Sequence, residues 1–173
     1  MGTKAIPAGY GPIRYAACPA RRAKEGDPLR RWLLVLAVLG CATGLDEFGR
    51  LSADPAGYYE EDSFRFFETF AEQARHVESC ADVDQVERFL SISPQIAGNA
   101  EIAEAFAEVL EKLVLRDPKC FLSATEDAPD RLAESLATRL SAPLFNPDVD
   151  LSAHLLRARD VELDHPVVEC LRR

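Results

Sequence analysis

The chain has 173 residues and a net charge of −9, from 29 acidic and 20 basic side chains. This balance argues against nucleic-acid binding, because neutralising phosphates requires an excess of Lys and Arg. The charge is divided unevenly, with seven basic and two acidic side chains in residues 1–40 and thirteen and twenty-seven in residues 41–173. A leader of +5 ahead of a body of −14 is typical of an exported protein.

An apolar stretch near the N-terminus sets the expected destination of the chain. Residues 1–28 hold four prolines and four glycines, and we expect them to be disordered. Arg30-Arg31 then precedes eight apolar residues, Trp32 to Leu39, which are followed by Gly40-Cys41. Eight helical residues are far too few to cross a hydrocarbon core of about 30 Å. The stretch therefore predicts a signal-peptide core or, alternatively, a buried helix.

This stretch resembles a bacterial lipoprotein signal peptide, since Val38-Leu39-Gly40-Cys41 is similar to the lipobox whose cysteine becomes lipidated. The resemblance implies that residues 1–40 are a leader and signal, and that a diacylglycerol on Cys41 makes the membrane a partner. It also implies a periplasm-facing place in the cell envelope, and Ala42 after the cysteine implies the outer membrane. If Trp32 to Leu39 is instead a buried core helix, the protein is cytoplasmic.

The remainder is predicted to be one all-α domain. Residues 41–62 are expected to be a tether, because three glycines and a proline interrupt them. From Ser63, the expected first N-cap, to residue 173 the apolar periodicity is helical and no run alternates with period two. Proline and Asx punctuation indicates about six short helices. We expect an irregular bundle or a short stack of helical hairpins over residues 63–173.

The most regular predicted helix spans residues 100–115, with Asn99 as its cap. Its apolar stripe should be buried, and the acidic residues opposite should be exposed, Glu111 among them. Further helices are predicted after Asp82, from Pro118, over 129–141 and 151–159, and from Pro166. Between two of them, Pro143 and Pro147 flank Leu144-Phe145, which we interpret as an apolar plug between helices.

Few residues suggest a chemical site. His76 and Cys80 could share a helix face as metal ligands, but the sequence supplies no further ligand at standard spacing. Asn146, Asp148 and Asp150 imitate the start of a calcium loop, whose glycine and bidentate acid positions are then unmatched. No nucleophile, phosphate-loop or dinucleotide motif is present. We therefore expect no metal, no cofactor and no catalytic residue.

The cysteines bear on the compartment. Apart from Cys18 in the leader and Cys41 at the lipid site, the chain has Cys80, Cys120 and Cys170. In an oxidising envelope we expect Cys80 and Cys120 to form a disulfide, because one ends a helix and the other begins one. Alternatively, all three are buried thiols packed as small apolar side chains.

The function class that fits best is a lipid-anchored, non-enzymatic helical module that binds a protein in the bacterial envelope, as an accessory or immunity-type protein. Its acidity favours a basic partner. Tyr58, Tyr59, Leu144 and Phe145 are the expected partner contacts, because they lie outside the regular stripes; each could equally belong to the core. A soluble cytosolic adaptor and a small enzyme without a recognisable motif are the alternatives.

Overall fold

A computed structural model describes residues 46–158 and 165–173, and these ranges form nine α-helices and no β-strand. The all-α fold predicted from the sequence is confirmed. The helices are α1 Glu47–Ala53, α2 Pro55–Glu61, α3 Ser63–Ser79, α4 Val83–Leu90, α5 Ala100–Arg116, α6 Pro118–Ala124, α7 Asp130–Ser141, α8 Leu151–Ala158 and α9 Pro166–Leu171.

The helix starts follow the Asx and proline pattern of the sequence. Asn99 accepts a hydrogen bond from the amide of Ile102 at the start of α5, and Asp117 does the same for Cys120 in α6. At α3 the cap is Asp62, whose carboxylate binds the amide of Arg65. The prediction that Ser63 is the cap is therefore wrong by one residue.

Residues 46–62 differ from the tether that the sequence predicts. They form α1 and α2, which pack on α3 and bury Phe48, Leu51 and Tyr58. Gly57, which suggested a breaker, lies in the first turn of α2, where its amide bonds to the Asp54 cap. A Cβ there would lie 2.3 Å from Asp54 Oδ2, so the glycine makes room for the cap. These two helices account for most of the difference between nine helices and about six.

The N-terminal half of the core is aromatic. Helix α3 packs against α1, α2, α4 and α5. A continuous chain of ring contacts, with centroids 5.2 to 6.5 Å apart, passes from α2 through α3 and α4 to α5. It comprises Tyr58, Tyr59, Phe66, Phe67, Phe70, Phe89 and Phe106.

The core formed by the last three helices, α7, α8 and α9, is aliphatic. Helix α9 packs on α7, and α8 contacts α5, α6, α7 and α9. The buried side chains of α7, α8 and α9 are Leu132, Ala133, Leu136, Ala137, Leu140, Leu151, Leu155, Val167 and Val168. Helix α5 therefore carries aromatic packing towards α4 and also contacts the aliphatic helix α8. No helix of the described ranges is long and apolar enough to cross a membrane.

Candidate interaction surface

A buried carboxylate anchors the connection between α7 and α8. Glu111, in the second half of α5, is only 2 % exposed. Its oxygens accept hydrogen bonds from the backbone amides of Leu144, Phe145 and Asn146 at 2.6, 3.1 and 2.9 Å. The side-chain amide of Asn146 donates another bond of 2.9 Å. A buried charge is tolerated when hydrogen bonds replace its water, and four donors do so here.

The sequence predicts Glu111 on the exposed face of α5, and this prediction is wrong. On the helix, residue 111 lies one turn from Ala107 and from Val114, and both of these are buried. The sequence feature that indicates a buried acceptor lies in residues 143–147, which contact Glu111. Residues 143–147 have a proline at each end and no regular structure, so their inner amides need an acceptor from elsewhere in the fold.

We call residues 142–150 the apolar loop, because its anchored backbone presents apolar side chains to solvent. Leu144 is 63 % exposed and Phe145 43 %, and Val149 is exposed as well. Large apolar side chains are exposed at only two other places in the described ranges, Phe64 and Val83. Leu144 and Phe145 are therefore not a plug between helices, as the sequence suggests, but part of the surface.

A shallow groove of about 500 Å³ runs beside the apolar loop, between the end of α3 and the outer face of α5. Its charged rim is balanced, with Glu78 and Glu108 against Lys112 and Arg116. The Lys112 ammonium lies 2.9 Å from Glu108 and 3.4 Å from Glu78, and hydrogen bonding to Glu108 raises the pKa of this lysine. Leu115, Phe145 and Asn146 complete the lining. The groove therefore has an apolar wall on the side of the loop.

The two tyrosines predicted as partner contacts have different positions. Tyr58 is 3 % exposed, and its hydroxyl lies 3.1 Å from the hydroxyl of Thr69, so it is a core residue and not a contact. Tyr59 is half-buried, packs edge-on against Phe66, and donates a hydrogen bond to Glu101 at the start of α5. That hydrogen bond raises the pKa of the Tyr59 phenol. Both tyrosines belong to the α2 end of the aromatic chain, and Tyr59 bonds to Glu101, ten residues before the Glu111 that anchors the apolar loop.

Cys80 and Cys120 are joined by a disulfide, with 6.3 Å between their Cα atoms. The bond ties the end of α3 to the start of α6. Cys80 is also the one non-glycine residue of the described ranges with a positive φ, 47°, where the chain turns after α3. Cys170 in α9 is half-buried and also disulfide-bonded. The alternative of three buried free thiols therefore does not describe these cysteines.

The lipidation residue Cys41 and the apolar stretch before it lie outside the described residues. The same holds for the leader and for the first five residues of the predicted tether, 41–45. The lipobox resemblance of Val38-Leu39-Gly40-Cys41 therefore remains a prediction from the sequence.

Three of the five residues considered as metal ligands have other partners. The sulfur of Cys80 is in the disulfide, so it is not available to pair with His76. Asn146 donates to Glu111, and Asp150 accepts the amide of Ala153 at the start of α8. Within residues 46–158 and 165–173, no group of three or more His, Cys, Asp or Glu side chains could hold a metal ion.

A hydroxyl and an imidazole meet at the end of α6, where Thr125 Oγ1 lies 3.3 Å from His165 Nε2. The Thr125 hydroxyl donates to the carbonyl of Phe121 at 2.7 Å, and His165 Nε2 lies 3.0 Å from the carbonyl of Leu122. Because a carbonyl only accepts, Nε2 carries the proton and cannot act as a base towards Thr125. Thr125 is fully buried and His165 is half-buried, and the pair joins α9 to α6.

No family model, curated protein or solved structure among those compared with the chain matches it.

Proposed function

We infer that this domain binds a protein partner, that the apolar loop is its contact surface, and that a lipid on Cys41 holds it in the bacterial envelope. The single observation that carries the binding proposal is the exposure of Leu144 and Phe145 on a backbone fixed by Glu111. Apolar side chains that are grouped at the surface and rimmed by polar residues mark interaction sites. Binding, and not turnover of a substrate, is the proposed activity.

The anchoring of the loop supports this proposal on energetic grounds. A partner that binds a mobile loop must offset the entropy lost when the loop becomes ordered, typically about 0.5–1.5 kcal/mol for each immobilised side chain. The four hydrogen bonds to Glu111 fix the backbone before binding. A leucine and a phenylalanine presented in this way are suited to fill a pocket on a partner, where a few buried anchors supply most of the affinity.

The place in the envelope rests on the resemblance of Val38-Leu39-Gly40-Cys41 to a lipobox. The disulfide between Cys80 and Cys120 is consistent with an oxidising compartment, because structural disulfides are rare in the reducing cytosol. A diacylglycerol on Cys41, with a further acyl chain, would tether the domain stably to the membrane.

Binding through the loop can be tested by photo-crosslinking in the native host. A photoreactive residue at position 144 should form a discrete adduct with one protein, and excess unlabelled wild-type domain should compete the adduct away. Position 83 is the matched control, since Val83 is an exposed apolar residue at the start of α4. Equal adducts from both positions, or no competition at position 144, would contradict the proposal.

Lipid anchoring is tested separately at Cys41. The wild-type protein should enter the detergent phase and incorporate labelled fatty acid, and Cys41→Ala should abolish both. Peptide mapping should find the lipid on Cys41. A disulfide-linked peptide that joins Cys41 to Cys170, with no lipid, would remove this part of the proposal and leave the loop as the contact surface.

A further inference from the structure

The backbone of the apolar loop offers few hydrogen-bond donors to a partner. Two of its nine residues, Pro143 and Pro147, have no amide hydrogen. The amides of residues 144–146 are bound to Glu111, and those of Ala142 and Val149 are bound to the carbonyls of Arg139 and Asn146. Seven of the nine positions therefore have no free amide.

The side chains of the loop offer no donor either. Besides its apolar residues, the loop carries two carboxylates, Asp148 and Asp150, and it has no Lys, Arg, His, Ser or Thr. The one amide side chain, Asn146, donates inward to Glu111. Both aspartates are exposed, and Asp150 accepts the amide of Ala153 as the cap of α8. The outer surface therefore combines apolar side chains with oxygen acceptors.

We propose that the apolar loop binds a basic protein. An apolar pocket of that protein would hold Leu144 and Phe145, and Lys or Arg side chains around the pocket would donate hydrogen bonds to Asp148 and to the loop carbonyls. This inference rests on the proposed function and adds the chemistry of the partner to it. Donors on the partner must match acceptors on the loop, because a polar group that is buried unpaired in an interface costs affinity. Charge-assisted bonds from Lys or Arg to carboxylates are the strongest of this kind.

The charge of the rest of the domain also favours a positively charged partner. The described ranges carry 24 acidic and 12 basic side chains, a net charge of −12. The groove beside the loop has equal numbers of acids and bases, so it does not reverse the sign. An acidic surface accelerates encounter with a basic protein. It repels a second copy of the same chain, and it repels an anionic membrane surface.

The test uses random peptides displayed on phage as the probe and the full chain as the target. Peptides that bind the Leu144→Ser/Phe145→Ser variant, which has the same net charge, are removed by counter-selection. The retained peptides should combine aromatic or branched apolar residues with a net positive charge. Retained peptides that are neutral or acidic would overturn the inference about the partner while leaving the loop as a binding surface. If no retained peptide depends on the loop, both proposals fail.

Charge reversal provides a quantitative arm. With one retained peptide, Asp148→Lys should lower the association rate about tenfold at low ionic strength, as expected for steering by nearby charge. Asp127→Lys is the matched control, because it changes the net charge equally at an exposed position in the connection between α6 and α7. That position precedes α7 in the chain, whereas the apolar loop follows it. Equal effects of the two reversals would contradict a rim contact at Asp148.

Two further measurements test the alternative binding partners of the loop, which are a second copy of this chain and a lipid membrane. Sedimentation velocity should give the same mass for the wild type and the Leu144→Ser/Phe145→Ser variant. If the wild type is a dimer and the variant is a monomer, the loop binds a second copy of the chain, and the proposal is overturned. Flotation of the Cys41→Ala chain with phosphatidylcholine vesicles should be negligible, and flotation that depends on Leu144 would overturn the proposal in favour of lipid.

Discussion

Two connections of nine residues in this domain treat their apolar side chains in opposite ways. Residues 91–99 join α4 to α5 and bury Ile92 and Ile96 completely. The apolar loop, residues 142–150, joins α7 to α8 and exposes Leu144 and Phe145. Both segments combine proline with two large apolar side chains near it. Composition therefore does not explain why one pair is buried and the other exposed, and the cause lies in the contacts that hold each connection.

Each connection has an internal polar anchor, and the anchors act differently. In residues 91–99 the buried Ser93 hydroxyl accepts from Arg139 Nε at 3.1 Å and lies 2.8 Å from the Ser135 hydroxyl, beside the buried isoleucines. The apolar loop is anchored to Glu111 through three backbone amides and the Asn146 side chain, so its apolar side chains are not needed to hold it. The first connection therefore completes the core, and the second has apolar side chains left for another molecule.

The largest effect on stability is expected from the disulfide, which spans one connection and not the other. It closes a segment of sequence separation 40 that contains residues 91–99 and excludes the apolar loop. Replacing Cys80 and Cys120 by serine should lower the free energy of unfolding by about 4 kcal/mol, from the chain entropy of a closed segment of this length. Urea denaturation measures the loss. A loss under about 1 kcal/mol would show that the bond constrains little.

Truncation within residues 91–99 should cost nearly as much. Ile96→Ala removes a fully buried side chain, and such changes cost about 2–5 kcal/mol because a cavity remains. The same urea denaturation measures the effect, with an unchanged dependence on denaturant as the check on two-state unfolding. A cost below about 1 kcal/mol would mean that this connection is no better packed than the apolar loop.

The anchor of the apolar loop should contribute less to stability than the core of residues 91–99. Glu111→Ala leaves four donors without their acceptor, and the expected loss is about 1–3 kcal/mol, limited because the freed loop can reach water. Glu104→Ala is the control, since Glu104 is exposed on the same helix and should change stability by less than about 0.5 kcal/mol. If Glu111→Ala lowers the free energy of unfolding no more than Glu104→Ala does, the hydrogen bonds of Glu111 do not stabilise the fold.

The smallest effect on stability is expected at the surface of the apolar loop. Leu144→Ala should change the free energy of unfolding by less than about 0.5 kcal/mol, because the side chain is mostly exposed. The same variant should lose affinity for a loop-dependent peptide, which titration calorimetry measures. A stability loss comparable with that of Ile96→Ala would mean that Leu144 is a packing residue after all.

Much of the fold follows from local signals in the sequence. Asx caps, prolines in the first turn and apolar periodicity predict α3 to α9 with small errors at their ends. Helices α1 and α2 were not predicted, because Gly49 and Gly57 suggested breakers. In the fold, both glycine amides bind the carboxylates of the preceding caps, Asp46 and Asp54. That role depends on the cap geometry, which the glycine alone does not reveal.

The candidate site was only partly predictable. Leu144 and Phe145 could be identified as candidate contacts because they lie between two prolines and outside the apolar stripes of the predicted helices. Their exposure could not be derived, since it depends on Glu111, which is 33 residues away from Leu144 along the chain. Tyr58 shows the reverse error, because α1 and α2 bury a residue that a tether would have left exposed. Contacts between distant segments, and not local pattern, decide these positions.

Amide hydrogen exchange at Leu144, Phe145 and Asn146 tests most directly whether the apolar loop is held in place before it binds. In the free wild-type protein, we expect these three amides to exchange at least about ten times more slowly than in Glu111→Ala, with the helices equally protected in both. Exchange in the wild type that is already as fast as in the variant would show that the loop is not fixed by Glu111, and would contradict the claim.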